Sequence, residues 1–118
     1  MRVDDLESRL LLQLLSASTV RAEVIANNLA NQNTPGFKRQ YVDFEDVLAA
    51  ELERKDGRPD RVQPEVLTDE RTPGRPDGNN VSMELEMNAL NKNRLLYETY
   101  AAILTTKMEL VRASIEER

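Results

Sequence analysis

Hydrophobic positions recur every three or four residues at both ends of the chain, and glycine and proline collect between them. Residues 2–33 and 79–118 contain neither glycine nor proline, whereas all four Gly and five Pro except Pro35 and Gly36 lie within residues 57–78. Long stretches without helix-breaking residues at both ends, separated by a segment rich in such residues, predict a helix, an irregular middle and a second helix.

The first apolar pattern predicts a helix from about Val3 to about Asn31. One stripe alternates spacings of four and three residues, and its members are Leu11, Leu15, Ser18, Ala22, Ile25 and Leu29. A second stripe, interrupted at Gln13, consists of Val3, Leu6, Leu10, Ala17, Val20 and Val24. Two adjacent stripes form a wide apolar surface that needs neighbours on more than one side. Periodicity alone does not separate this from an ordinary buried helix of a compact bundle.

The last pattern predicts a helix over residues 82–116, about 50 Å long at about 1.5 Å per residue. Heptad spacing continues for more than four repeats, with Arg94 as the one polar interruption. The positions are Met83, Met87, Leu90, Arg94, Tyr97, Ala101, Leu104, Met108, Val111 and Ile115. A flanking stripe contains Ala89, Leu96, Tyr100, Ile103 and Leu110. Heptads sustained over this length indicate coiled-coil packing.

The beginning of this last helix also has a chemical signature. Asn80 or Ser82 is expected to cap it, because short polar side chains accept hydrogen bonds from the free amides of the first turn. Glu84 and Glu86 complement the positive end of the helix dipole.

The middle segment is predicted to hold a short helix over residues 43–52. Asp43 is the expected cap, and the apolar face consists of Phe44, Val47, Leu48 and Leu52. Residues 54–80 are expected to form a flexible loop or a small extended excursion, in which the apolar anchors are Val62, Val66 and Leu67. The predicted fold is therefore all-α. It divides into an N-terminal helix and turn (1–36), a short helix with a loop (37–80) and a C-terminal heptad helix (81–118).

Composition limits what such a chain can do. The 118 residues are 40% hydrophobic and 4% aromatic, so we expect a thin core and helices that need contacts from other subunits. A net charge of −5 argues against nucleic-acid binding. Because Cys and His are both absent, disulfides, most zinc sites and the common Ser/His and Cys/His catalytic arrangements are excluded. We expect no cofactor, no metal and no small-molecule substrate, although an enzyme with a carboxylate-only or Lys-only site remains a rival hypothesis.

The start of the chain suggests no cleaved secretion signal. Residues 1–7 are acidic, whereas a secretory signal begins with a basic region. The apolar run Leu10–Leu12, which ends at Gln13, is far shorter than a membrane span. We therefore expect a cytosolic protein, or one that leaves the cytosol without cleavage.

Residues 26–39 carry the most distinctive local pattern, Ala-Asn-Asn-Leu-Ala-Asn-Gln-Asn-Thr-Pro-Gly-Phe-Lys-Arg. Asparagine tolerates the conformations that end helices. Residues 34–37 place proline and glycine at the central positions of a type II turn, which requires positive φ at Gly36. A helix stop and a turn do not explain Asn27 and Asn28, which lie inside the predicted helix. Their amides could serve a local role or bond across a subunit boundary, and the sequence leaves both open.

This segment resembles the N-terminal signature of flagellar rod, hook and hook-filament-junction proteins. The resemblance implies that the motif residues act in assembly: Asn27, Asn28, Leu29, Asn31, Thr34, Pro35, Gly36 and Phe37. Because 27 irregular residues cannot hold the large β-rich middle domain of distal rod and hook members, length favours the short rod proteins. The FlgB type of proximal rod protein is similar in residues 41–44, 78–84 and 107–111, although Ser82 stands where that type more often has Asp.

The resemblance implies a non-enzymatic structural subunit of the proximal rod. Such a subunit joins the inner-membrane ring and export gate to the rest of the rod and transmits torque. It would be exported by the flagellar type III apparatus without cleavage and reside in the periplasmic part of the basal body. Expected partners are copies of itself, FlgC-type and distal rod proteins, and the FliE adaptor at the membrane ring. A soluble coiled-coil regulator or chaperone-like protein is the other reading of the same heptads.

The residues expected to pack subunits together lie on the two terminal helices. They are Leu11, Leu15, Ile25, Met87, Leu90, Tyr97, Leu104, Met108, Val111 and Ile115.

Overall fold

The computed structural model describes residues 5–117 as an elongated molecule of 67 × 30 × 14 Å. Three helices and a two-stranded sheet make up its regular structure. In chain order they are α1 Leu6–Ala30, β1 Gln40–Asp43, α2 Glu45–Glu53, a 3₁₀ turn Pro59–Arg61, β2 Glu65–Thr68 and α3 Met83–Glu116. The predicted long terminal helices are confirmed. No helix within residues 5–117 is long and apolar enough to span a membrane.

Helix α1 begins later than the sequence pattern suggested. Asp5 is its cap, because its side chain accepts a hydrogen bond from the Ser8 amide at 2.9 Å. The predicted start at Val3 lies outside the described residues. The helix ends at Ala30, and Asn31 follows as its C-cap.

The two apolar stripes of α1 meet two different parts of the same chain. Residues of the second stripe form the core with three residues of the middle segment, and partly buried side chains pack around them. The buried cluster is Ala17, Val24, Val42, Phe44 and Leu48, and the residues around it are Leu10, Leu14, Val20 and Val62. The first stripe faces α3. The middle segment therefore covers the part of the second stripe from Leu10 to Val24, whereas Leu6 is exposed.

A two-stranded sheet corrects the all-α prediction. Strands β1 and β2 pair antiparallel, with Gln40 opposite Thr68 and Asp43 opposite Glu65. Each strand has only four residues, too short for a clear alternating pattern, and α2 lies between them in sequence. The part of residues 54–80 that holds β2 is thus an extended excursion rather than a flexible loop.

The predicted cap of α2 is also wrong. Asp43 ends β1, and α2 begins at Glu45 with Phe44 at the N-cap position and no side-chain cap. Phe44 and Leu48 are buried as predicted, but Val47 and Leu52 are exposed. Because Phe44, with φ of −143°, is not yet helical, α2 begins one residue after the position that Asp43 could cap.

Gln13, the interruption in the second stripe of α1, bonds to the middle segment. Its Nε2 donates to the carbonyl oxygens of Pro59 at 3.1 Å and Val62 at 3.0 Å. The polar position therefore serves the packing of the 3₁₀ turn on α1.

Helix α3 runs antiparallel to α1 and begins as predicted. Ser82 caps it, accepting from the Leu85 amide at 3.3 Å, while Asn80 bonds elsewhere. The start of α3 lies at the end of α1 and the far part of α3 reaches Asp5 at the other end.

Candidate assembly site

The predicted turn at the end of α1 is present. The Phe37 amide donates to the Thr34 carbonyl at 3.2 Å, and Gly36 has φ of +77°. A residue with a Cβ is disfavoured at that angle, which explains the glycine. Thr34, Pro35 and Gly36 are exposed, and Phe37 is half-buried.

Residues 77–79, which precede α3 and are distant in sequence, bond to this turn. The Gly36 amide donates to the backbone carbonyl of Asp77 at 2.8 Å. The buried Asn79 donates through Nδ2 to the carbonyls of Asn31 at 2.9 Å and Thr34 at 2.8 Å. Gly78 also has positive φ, +86°, and a Cβ there would lie 3.4 Å from the Gly36 Cα. The motif turn and residues 77–79 therefore form one close-packed junction that joins the two long helices.

Asn28 resolves one half of the open question about the paired asparagines. Its side chain is fully buried; Nδ2 donates to the Gln40 carbonyl at 2.8 Å, and Oδ1 accepts from the Gln40 amide at 2.9 Å. The side-chain amide of Asn28 thus makes the two hydrogen bonds to β1 that a neighbouring strand would make. Nδ2 also lies 3.1 Å from Glu86 Oε2. Asn28 has a local, architectural role.

Asn27 differs from its neighbour. It is exposed, and its bonds run only to Asn31, which donates through Nδ2 to the Asn27 carbonyl at 2.8 Å. Leu29 and Asn31 are both half-buried. Of the two asparagines, Asn27 is the one placed to meet another molecule.

An ion-pair network surrounds Asn28. Arg39 donates from Nε to Glu86 Oε1 at 2.6 Å and from Nη1 to Asp69 Oδ2 at 3.0 Å. Burial by itself lowers the pKa of Arg39, but the hydrogen bonds to Glu86 and Asp69 raise it overall. Hydrogen bonds from Thr72, with help from Arg39, hold the pKa of the Asp69 carboxyl well below its usual range. The network ties the sheet to the first turn of α3.

Farther along, α3 meets α1 through more polar groups. Asn93 Nδ2 donates to the Ser18 carbonyl at 2.8 Å, and Lys107 Nζ donates to Asp5 Oδ1 at 2.7 Å. The hydrogen bond from Lys107 lowers the pKa of Asp5 to about 2, and the same bond raises the pKa of Lys107. Glu86, Asn93 and Lys107, here called the polar seam, are the main buried side chains of α3, with Val111.

The apolar residues of α3 mostly face outward. Five positions of the predicted heptad are exposed and are here called the exposed stripe: Met83, Met87, Tyr97, Met108 and Ile115. On the opposite flank Leu85, Ile103 and Leu110 are exposed as well.

The predicted packing residues therefore fall into three groups. Those buried within the chain are Leu11, Ile25 and Val111; those half-buried are Leu15, Leu90 and Leu104; those exposed are Met87, Tyr97, Met108 and Ile115. Only the exposed group is directly available to another subunit.

A groove runs along each side of the Asn93 contact between the two long helices. The groove beside the exposed stripe has a volume of about 400 Å³ and is mainly apolar, with Ala22, Leu90 and Tyr97 among its walls. The other has about 390 Å³ and lies between Arg21 and Leu96. Within residues 5–117 no group of three acidic side chains could hold a metal ion.

Sequence reasoning missed the buried polar residues of the junction. Arg39, Asn79 and the polar seam were not among the predicted site residues, and Glu86 was assigned only to the helix dipole. A signal existed: Glu86, Asn93, Tyr100 and Lys107 are spaced by seven residues, the same interval as the apolar heptad. A polar heptad normally indicates a solvated face, so spacing alone gave no reason to bury it.

The Asn-rich helix end and the turn lie in the part of the chain that is similar to a known family. A family model described as "Flagella basal body rod protein" matches residues 15–38, which include the turn. The flagellar basal-body rod protein FlgG of Caulobacter vibrioides is 50% identical over 40 residues, 34% of this chain but only 15% of the relative.

Matches over most of the chain narrow the class. The flagellar basal body rod protein FlgB of Aeromonas hydrophila is 32% identical over 107 residues, which cover 80% of each protein. The FlgB of Borrelia hermsii is 32% identical over 108 residues, 75% of this chain and 80% of the relative. The chain belongs to the FlgB family of flagellar basal body rod proteins.

Proposed function

We propose that this chain is a subunit of the proximal rod of the bacterial flagellum and that it packs against its neighbours through the exposed stripe of α3. In that role it links the inner-membrane ring and export gate to the rest of the rod and transmits torque. Its neighbours are further copies, FlgC-type and distal rod subunits, and the FliE adaptor. The flagellar type III apparatus exports it to the periplasm without cleavage.

The exposed stripe is the observation that supports this proposal. Met83, Met87, Tyr97, Met108 and Ile115 are 57%, 42%, 44%, 47% and 64% exposed. Isolated apolar residues on a surface are ordinary, but a row of them along one helix, here interrupted at Arg94, marks an interaction site. Its length suits a long helix of another subunit. The role proposed is mechanical.

Met108→Asp tests the stripe while leaving the core of the monomer intact. Because Met108 is exposed in the single chain, the variant should fold and be exported, but a charge would be buried when subunits pack, which is very unfavourable. We expect loss of swimming and no isolated basal bodies with a complete rod. Ala102→Asp is the matched control: it adds the same charge at an exposed position whose neighbours three and four residues away are all polar, and it should swim.

Normal rods in the Met108→Asp strain would refute the stripe as an assembly surface. Equal loss in both strains would indicate that any added charge disturbs the helix. Circular dichroism of the two purified variants separates misfolding from failed assembly.

A further inference from the structure

The face of α3 that meets α1 is polar at regular intervals. Glu86, Asn93 and Lys107 are 1%, 4% and 8% exposed, and the half-buried Tyr100 completes a series with a spacing of seven residues. Residues seven apart occupy the same seam position of a helix pair, where apolar side chains normally provide the stability. The face of α3 that meets α1 thus buries three polar side chains, while many apolar side chains of the helix are exposed.

The groups that meet the polar seam on α1 each keep another partner if α3 moves away. Asn93 bonds the Ser18 carbonyl, which lies inside α1 and accepts a helical hydrogen bond as well. Arg21 donates to Asn93 Oδ1 at 3.2 Å, but it also pairs with Glu45 at 2.5 Å.

The two ends of the seam follow the same rule. Lys107 pairs with Asp5, which also caps α1 through its bond to Ser8. The Nζ atom of Lys107 also lies 3.4 Å from Oε2 of the exposed Glu7. At the other end Glu86 accepts hydrogen bonds from Asn28 and Arg39. If α3 moved away, Asn28 would keep its bond to Gln40 and Arg39 would keep its pair with Asp69. Within residues 5–117, the Ser18 carbonyl, Arg21, Asp5, Asn28 and Arg39 each have a second partner besides the seam, and the Glu7 side chain is exposed to water.

We propose that the polar seam holds α3 on α1 in one register but weakly, so that α3 can separate while α1 remains packed on the middle segment. Polar seam residues specify register at a cost in stability. Burying charges and amides requires their desolvation, which their mutual attraction often fails to offset, so apolar replacements are frequently neutral or stabilising. The core of α1 with Val42, Phe44 and Leu48 does not include α3.

Amide hydrogen exchange on the full-length chain tests this proposal when two polar residues of the seam are replaced by leucine. In the double variant Asn93→Leu/Lys107→Leu, we expect protection factors of amides in residues 95–116 to rise by about tenfold or more, with a higher Tm. Protection in residues 17–25 of α1 should not change beyond what global stability dictates. The control Asn88→Leu/Lys92→Leu makes the same replacements at exposed positions of α3 and should leave protection as in the wild type.

Faster exchange in the seam variant, or loss of its helical circular dichroism, would overturn the proposal, because the polar groups would then be net stabilisers. Equal slowing in the control would overturn it too, since added leucine rather than the seam would be responsible. Uniform protection of α1 and α3 in the wild type would show that α3 does not open separately. The experiment concerns the isolated chain, so its outcome is independent of whether the chain builds a proximal rod.

Discussion

The two long helices of this protein use their apolar residues in opposite ways. Helix α1 lies between the middle segment and α3, and its large exposed apolar residues within the described chain are Leu6 and Leu12. Helix α3 touches essentially one neighbour, and Val111 is the one large apolar side chain it buries, whereas nine are exposed. A strong heptad pattern thus indicates how many other helices a helix packs against. It says little about which of those helices belong to the same chain. Helix α1 organises the core of the chain, and α3 is the helix whose apolar residues are mostly exposed.

The largest expected effect separates the core of α1 from the surface of α3. Phe44→Ala should lower the free energy of unfolding by about 3–5 kcal/mol, because it empties a fully buried site against α1. Met108→Ala, on the exposed stripe, should change it by no more than about 0.5 kcal/mol. Urea denaturation followed by circular dichroism measures both, and comparable losses would show that α3 contributes to the monomer core as α1 does.

The junction between the helices gives the next effect. Asn28→Ala should cost about 2–3 kcal/mol, since it leaves the buried backbone groups of Gln40 without partners. Asn27→Ala is the matched control, because the exposed Asn27 has only local bonds to Asn31 and its loss should cost less than about 0.5 kcal/mol. If the Asn27 variant folds normally but fails to swim, its role is in assembly. Equal destabilisation by both would contradict the architectural assignment of Asn28 alone.

The turn at Gly36 is expected to have a smaller effect. Gly36→Val should destabilise the chain by about 1–2 kcal/mol and impair swimming, because a β-branched residue disfavours φ of +77°. No atom lies within 4 Å of the site of an added Cβ, so the penalty is conformational rather than steric contact with a neighbour. Gly36→Asn is therefore expected to be tolerated better, and similar losses for Asn and Val would indicate a contact that the turn geometry does not explain. Thermal denaturation compares them.

The smallest effect concerns the far end of the polar seam. The depressed pKa of Asp5, about 2, means that its pairing with Lys107 stabilises the fold above the ordinary carboxyl pKa of 3.8 and is lost as pH falls from about 4 through about 2. Lys107 has a raised pKa, so its contribution is present below 10.5 and disappears only above its folded value. Carboxyl NMR titration should find the Asp5 midpoint near 2, and Lys107→Met should move it upward. An unchanged midpoint in that variant would mean that the Ser8 amide alone is responsible.

Much of the architecture could be predicted because it depends on local chemistry. Breaker-free periodic segments gave the two long helices, Ser82 was identified as a cap, and the sequence from Thr34 to Phe37 gave a turn with positive φ at Gly36. The same reasoning missed the small sheet, since four-residue strands separated by a helix have no local signature. It also placed a cap at Asp43, but Phe44 continues the non-helical backbone that follows β1, so the helix begins one residue later than expected.

By itself, the amino-acid sequence determined the helix boundaries to within a few residues and the turn, because both follow from short-range backbone and side-chain preferences. Its motif at residues 26–39 also indicated the family. Only the tertiary structure decided which face of α3 turns toward α1. Periodicity marks that an apolar stripe exists, but a helix can rotate about its axis without changing its own hydrogen bonds. Its orientation is fixed instead by distant partners, Asn28 and Arg39 for Glu86, Ser18 for Asn93 and Asp5 for Lys107. Those bonds join residues far apart in sequence, and they turn the exposed stripe outward.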